Sequence, residues 1–273
     1  MAQESHNVGP AEGFDHRFTI IFLHGKGSDC DEFASELFES EVSEQLSPQK
    51  PRTLDTLFPS VRWVFPSAPQ THCERFGGTE SQWFDMWAVE NPNERFQSQV
   101  EGLRQSLKML REVLAREEAL LPRERIFLAG ISQGFATAVA GALLAGGTFA
   151  GLVGLCAWMP RRAYEAIQAS KGPDRASYAL TLMKTPIFLG HSKGDGVVPV
   201  ENGRDLRDYL SESRSAIQWH EYESNEHWVV EPEGVDDLVM FLRSHMRRLS
   251  QPRIDYSTSA SYSLTAMTGA ELG

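Results

Sequence analysis

The sequence predicts an α/β domain whose mostly parallel sheet carries helices on both faces. Three observations lead to this. Short, nearly continuous apolar runs read as buried strands. Stretches between them place apolar residues three and four apart, as amphipathic helices do. The two kinds of segment alternate along the chain, which is the pattern of strands joined by helical crossovers.

Taken in order, Phe18 to Leu23 is an apolar run that stops at His24-Gly25, and Val61 to Phe65 is a second that stops at Pro66. From Phe96 to about Leu114, Val100, Leu103, Leu107, Leu110 and Leu114 mark one helix face, and Pro122 closes the region. Arg125 to Ala129 reads as a strand. It is followed by Gly130 and the small-residue run Ala136 to Ala145, which lets a helix lie close to a sheet. Phe149 to Ala157 and Pro186 to Gly190 read as further buried strands, with a helix and a loop containing Gly172-Pro173 between them. Ile217 to Tyr222 alternates and reads as the last strand. Residues 232 to 248 form a final helix, with Pro232, Glu233, Asp236 and Asp237 at its start and Arg243, Arg247 and Arg248 at its end. Residues 16–249 are expected to form a single domain. Residues 1–15 and the Ser/Thr-rich stretch 250–273 are expected to be flexible tails.

Composition narrows the function. Of 273 residues, 41% are hydrophobic and 23% charged, as in soluble folded proteins, and the net charge of −11 repels phosphate backbones and anionic headgroups. The acidic balance therefore argues against nucleic-acid binding and electrostatic docking on a membrane. No apolar run reaches the roughly 18 residues of a membrane-spanning helix, and neither a signal peptide nor a lipidation signal is apparent. The three cysteines, Cys30, Cys73 and Cys156, form no CxxC pair, which favours a reducing compartment and a cytoplasmic or nucleocytoplasmic location.

Gly130-Ile-Ser132-Gln-Gly134 fits G-x-S-x-G, in which a nucleophilic serine sits on a sharp strand-to-helix turn that side chains at the glycines would obstruct. The competing reading is a tight turn whose serine caps a helix. A serine hydroxyl needs a base, and the base an orienting acid, in the chain order serine, acid, histidine. Asp195 lies in a Gly-rich loop after a strand; Asp174 is a rival in a polar loop, and Asp205 and Asp208 read as solvated helix residues. His227 lies on the loop between the last strand and the last helix, whereas His220 falls within the strand and His245 near the helix end. The backbone amides of Gln133 and of Lys26, in His24-Gly-Lys-Gly27 after the first strand, are candidates for an oxyanion hole. His220-Glu221 begins like H-E-x-x-H, but residue 224 is Ser; no metal and no other cofactor is expected.

Four blocks together resemble the acyl-protein thioesterase, or phospholipase/carboxylesterase, family of small serine hydrolases with the α/β-hydrolase fold. They are Phe22-Leu-His-Gly-Lys-Gly27, Pro66-Ser-Ala-Pro69 with Trp83-Phe-Asp85, Ile131-Ser-Gln-Gly134, and Asp195-Gly-Val-Val-Pro199 with His227. The resemblance implies hydrolysis of carboxylic esters or acyl thioesters, on small molecules or lipidated proteins, through an acyl-enzyme on Ser132. It also implies that Trp83, Phe84, Trp158 and Met159 lie near the substrate pocket, although core packing competes for Phe84 and Met159. Two positions depart from the family pattern: Lys26 stands where leucine is usual, and Phe135 where a second glycine is usual. The polar loop from Thr71 to Gln82 is not suited to covering a lipid chain. The alternatives are a lysophospholipase and a hydrolase-fold binding protein without turnover. A homodimer, as in some relatives, is left open.

Overall fold

The computed structural model describes residues 4–43, 51–170, 184–213 and 215–251. Its strands are β1 (Ser5–Val8), β2 (Phe18–Leu23), β3 (Val61–Pro66), β6 (Ile126–Ile131), β7 (Gly151–Leu155), β8 (Ile187–Ser192) and β9 (Ile217–Tyr222), with β4 (Gln70–His72) and β5 (Thr79–Ser81) forming a separate hairpin. The main sheet has seven strands in the order β1-β3-β2-β6-β7-β8-β9. Every neighbouring pair is parallel except β1 with β3.

The continuous apolar runs are explained by burial on both faces. Successive strand residues point to opposite sides, so Ile21 and Leu23 enter one core and Ile20 and Phe22 the other. Leu128, Leu152 and Leu189 fall on the first side; Phe127, Val153 and Phe188 fall on the second. Helices α3 (Phe96–Glu118), α4 (Gln133–Ala145), α5 (Arg161–Ala169) and α6 (Val200–Ser211) send buried residues to the first core. Helices α1 (Cys30–Glu39) and α7 (Glu233–Ser250) send theirs to the second. A one-turn helix, α2 (Leu54–Leu57), adds Leu54 to that second core. This is the α/β-hydrolase fold.

Several boundaries differ from the sequence expectation, each for a local reason. The first fifteen residues are not all loose, because Ser5–Val8 pair antiparallel with Trp63–Pro66 at the sheet edge. Backbone hydrogen bonds suffice for an edge strand, so no apolar run announces it. Helix α3 continues past Leu114 to Glu118. Its penultimate residue, Glu117, is buried and accepts from Arg62 Nε at 3.1 Å and from the Thr19 hydroxyl at 3.4 Å, which anchors the last turn on β2 and β3. Helix α1 carries only a narrow apolar stripe (Phe33, Ala34, Leu37); its clearest sequence signal is Asp29, whose carboxylate caps the amides of Asp31 and Glu32 at 2.9 Å each. The stretch from Thr71 to Gln82 is largely the β4–β5 hairpin. Gly172-Pro173 lies outside the described residues, as does the C-terminal stretch from residue 252.

Candidate active site

Parallel strands present their carboxyl ends to one side of the sheet, where ligand sites of open α/β folds gather. Ser132, Asp195 and His227 all follow strand ends there, after β6, β8 and β9.

Ser132 is one of three non-glycine residues with positive φ among the described residues, at φ 52° and ψ −124°. Such a conformation costs about 1–3 kcal/mol and persists only where the surroundings enforce it. The enforcement is visible. Ser132 N donates to Leu155 O at 2.9 Å, and Ser132 O accepts from Ala136 N at 3.1 Å. A Cβ on Gly130 would lie 2.4 Å from Phe135 N, and one on Gly134 would lie 2.2 Å from Leu23 O. The two glycines let α4 start hard against β6 and β2. Although Ser132 occupies the N-cap position of α4, its side chain makes no capping hydrogen bond. Capping therefore does not account for the serine. The unusual Phe135 is fully buried, and its ring lies over Gly154 of β7, where a Cβ would come within 2.8 Å of it.

His227 Nδ1 donates to Asp195 Oδ2 at 2.7 Å. An ionised carboxylate only accepts, so the shared proton is on Nδ1 and Nε2 is the ring nitrogen left to face away from Asp195. Asp195 Oδ1 accepts from the amides of Val197 at 2.8 Å and Val198 at 2.9 Å. Burial on its own would raise the Asp195 carboxyl, but hydrogen bonds from His191, His227 and the Val198 amide outweigh it and hold the group well below the carboxylate range. The rival histidines are used elsewhere: His220 pairs with Asp237 at 2.9 Å, and His245 Nδ1 contacts Phe241 O at 2.8 Å. Asp205 and Asp208 lie on α6, and Asp174 is outside the described residues.

Gln133 is held on both sides of its amide group, accepting from Trp83 N at 2.8 Å and donating to Phe84 O at 2.8 Å. As the first residue of α4 it has a backbone N–H with no intrahelical acceptor. Gly25, Lys26 and Gly27 line the same cavity as Ser132, Gln133 and His227. The Lys26 side chain is engaged by Glu80 of the hairpin at 2.9 Å, and Gly27 N donates to Ser81 O at 2.8 Å. Behind this loop, buried His24 accepts from Ala68 N at 2.9 Å through Nε2 and donates from Nδ1 to Gly25 O at 2.7 Å. Burial pushes its pKa down, consistent with a neutral ring that only orders the loop.

The cavity has a volume of about 530 Å³, and its apolar wall comes from Phe33, Met86, Val89, Val197 and Trp228, with Glu36 and Glu80 contributing charge. Trp83, Phe84, Trp158 and Met159, expected near the pocket, are not among the residues of this wall. All four are buried, and Phe84 and Trp158 pack edge to face at 5.9 Å. Trp83 acts on the site from behind, since its indole N–H donates to His24 O at 2.9 Å. Trp158 and Met159 border a different cavity of about 360 Å³, beside Tyr209 of α6. Trp228, adjacent to His227, was the available signal for the wall.

Cys156 sits at φ 46° just after β7. Its sulfur, Asp195 and His227 have donor atoms within 4.8 Å of one another, the one such group of three potential metal ligands among the described residues. Asp195 and His227 are already bonded to each other, and burial and then the Asp195 charge push the thiol well up, so the set is poorly prepared for an ion.

The chain is similar to known proteins over most of its length. An acyl-protein thioesterase 1 from Yarrowia lipolytica is 30% identical over 85% of this chain and 93% of its own length. That from Saccharomyces cerevisiae is 28% identical over 84% and 93%. The crystal structure of Zea mays acyl-protein thioesterase 2 superposes with a TM-score of 0.66 at 25% identity, covering 89% of this chain and 99% of the other. The phospholipase/carboxylesterase family profile matches residues 10–246, and the chain belongs to that family of α/β-hydrolases.

Proposed function

We propose that the protein is a serine hydrolase that cleaves carboxylic esters or acyl thioesters through a covalent acyl-enzyme. Ser132 attacks the acyl carbonyl while His227 Nε2 takes its proton. Asp195 orients the imidazole and stabilises the imidazolium, and the amides of Lys26 and Gln133 receive the negative charge on the carbonyl oxygen. His227 then protonates the departing alcohol or thiol, and water activated by the same nitrogen releases the acid.

The observation that carries this reading is the conjunction at one cavity of a strained, uncapped Ser132 and a histidine whose Nδ1 is bonded to a buried carboxylate. The relatives named acyl-protein thioesterase support an acyl ester or thioester as substrate, including acyl groups on proteins. The largely apolar wall of Phe33, Met86, Val89, Val197 and Trp228 suits an acyl chain better than a charged group. The reading treats residues 16–249 as the hydrolase domain and places it in the cytoplasm, supported by three free cysteines. No helix of the described residues is long and apolar enough to cross a membrane.

The test is covalent labelling with a fluorophosphonate, followed by rates on ester and thioester substrates of increasing chain length. Labelling of the wild type that disappears in Ser132→Ala is the expected result. Equal labelling of both proteins overturns the nucleophile assignment. Rates that do not change across chain length and leaving group overturn the assignment of the apolar wall to an acyl chain.

A further inference from the structure

His191, at the end of β8, is buried and has no part in the proton path proposed above. Its Nε2 lies 2.9 Å from Val198 O and 3.4 Å from Asp195 Oδ2. A carbonyl oxygen only accepts, so Nε2 carries the proton; that N–H is hydrogen-bonded to the carbonyl and lies beside the carboxylate. Asp195 is thereby surrounded by donors: Oδ1 accepts from the amides of Val197 and Val198, Oδ2 accepts from His227, and the polarised His191 N–H approaches Oδ2 from the other side. The other nitrogen of His191, Nδ1, is buried without a hydrogen-bond partner among the described residues. Burying a polar atom unpaired is unfavourable, and a ring that merely filled space would do better as an apolar side chain. The ring's polar function is therefore at Nε2.

The surroundings fix that placement. Gly203 of α6 passes so close that a Cβ there would lie 2.6 Å from His191 Nδ1 and 2.7 Å from the Trp219 ring. The Trp219 ring centroid is 6.2 Å from that of His191. The ionisable groups nearest to His191 are Asp195, then His227 and Cys156 through Asp195, and on β9 and α6 the Glu221–Arg204 pair, with Glu221 the register partner of His191.

We infer that His191 is a positioning residue for the esterase reaction, fixing the direction and the basicity of the Asp195 carboxylate that His227 depends on. This rests on the reading of Asp195 as the orienting acid. With the His191 donor removed, Oδ2 keeps more negative charge and holds the His227 proton more tightly. The acid limb of kcat/KM against pH then moves upward, and kcat falls because the imidazole is less well aligned.

The experiment compares His191→Phe, which keeps the ring but not the donor, with His191→Gln, which retains an N–H at the same bond count from Cβ. In His191→Phe, kcat is expected to fall about tenfold with KM within about twofold, from the loss of one N–H dipole beside the carboxylate. The acid limb is expected to rise by about half a pH unit. His191→Gln restores both toward the wild type. Gly203→Ala displaces the ring without altering it and moves the limb in the same direction, which keeps the test open if His191→Phe does not fold. An unmoved limb in His191→Phe, or in Gly203→Ala where His191→Phe does not fold, overturns the inference; so does a His191→Gln variant no better than His191→Phe. An Asp195→Asn variant of undiminished kcat would instead overturn the reading of the acid itself, whatever His191 does.

Discussion

Gly134→Ala probes how far function depends on the closeness of α4 to β2. The added carbon would sit 2.2 Å from Leu23 O, 2.5 Å from His24 O and 2.7 Å from Leu23 C, where ordinary contact begins at 3.4 Å. All three atoms are backbone, so no side chain can swing away. The start of α4 must instead retreat from the end of β2 by about 1 Å, a forced overpacking that costs roughly 1–3 kcal/mol. At about 3 °C per kcal/mol for a chain of this size, the thermal midpoint is expected to fall by roughly 3–9 °C. The same retreat separates the Gln133 amide from the loop carrying Lys26, the two donors of the proposed oxyanion hole. A misplacement of about 1 Å at such a site costs on the order of a hundredfold in rate. Thermal unfolding and burst kinetics on a chromogenic ester measure the two effects on one preparation. A variant with an unchanged midpoint and an unchanged burst rate would refute the reasoning, because it would mean that the close approach holds neither the fold nor the donors.

Three further outcomes are expected. Asp195→Asn should lower kcat by about 10³–10⁴-fold in the same assay, since an amide presenting N–H to His227 favours the wrong tautomer; a loss under tenfold contradicts the role given to the carboxylate. Lys26→Met should leave kcat within about twofold, because the backbone amide is the proposed donor, and should cost at most about 1 kcal/mol in urea unfolding from the lost Glu80 pair. A kcat loss of tenfold or more would place the side chain in the chemistry. Arg204 first, and Trp219 after it, hold the Glu221 carboxyl down at about 2 against its ordinary value of 4.5. The folded-state pKa is depressed, so the stabilisation is fully present above the unfolded value and drains away as pH falls from about 4.5 toward 2. Glu221→Gln should therefore flatten the decline in urea midpoint over that window, and an identical decline in both proteins contradicts the assignment.

The strands with continuous apolar runs were legible in the sequence because burial on two faces leaves no polar positions, as in β2, β6 and β8. The serine turn was legible because sterics admit only glycine at 130 and 134. The choice of His227 over His220 and His245 followed from loop placement alone, and the bond to Asp195 agrees with it. What escaped depended on partners distant in the chain. Strand β1 is specified by the edge of β3 rather than by its own residues. The particular contact of Cys156 with Asp195 and His227 depends on the adjacency of β7 and β8. Trp83 and Trp158 were expected near the pocket from the family resemblance, and a resemblance does not by itself tell a wall from a core. Their full burial does.

The pairing of Ser5–Val8 with Trp63–Pro66 bears on how the protein tolerates handling. Those four residues mask the outer hydrogen-bonding edge of β3, a strand whose Trp63, Val64 and Phe65 are all buried. A trimmed or heavily fused N-terminus that kept them from docking would leave an apolar, twisted ribbon with unpaired amides and carbonyls. Such a ribbon is a template for joining another chain edge to edge. Solubility at high concentration is thus tied to a segment of four residues remote from the chemistry.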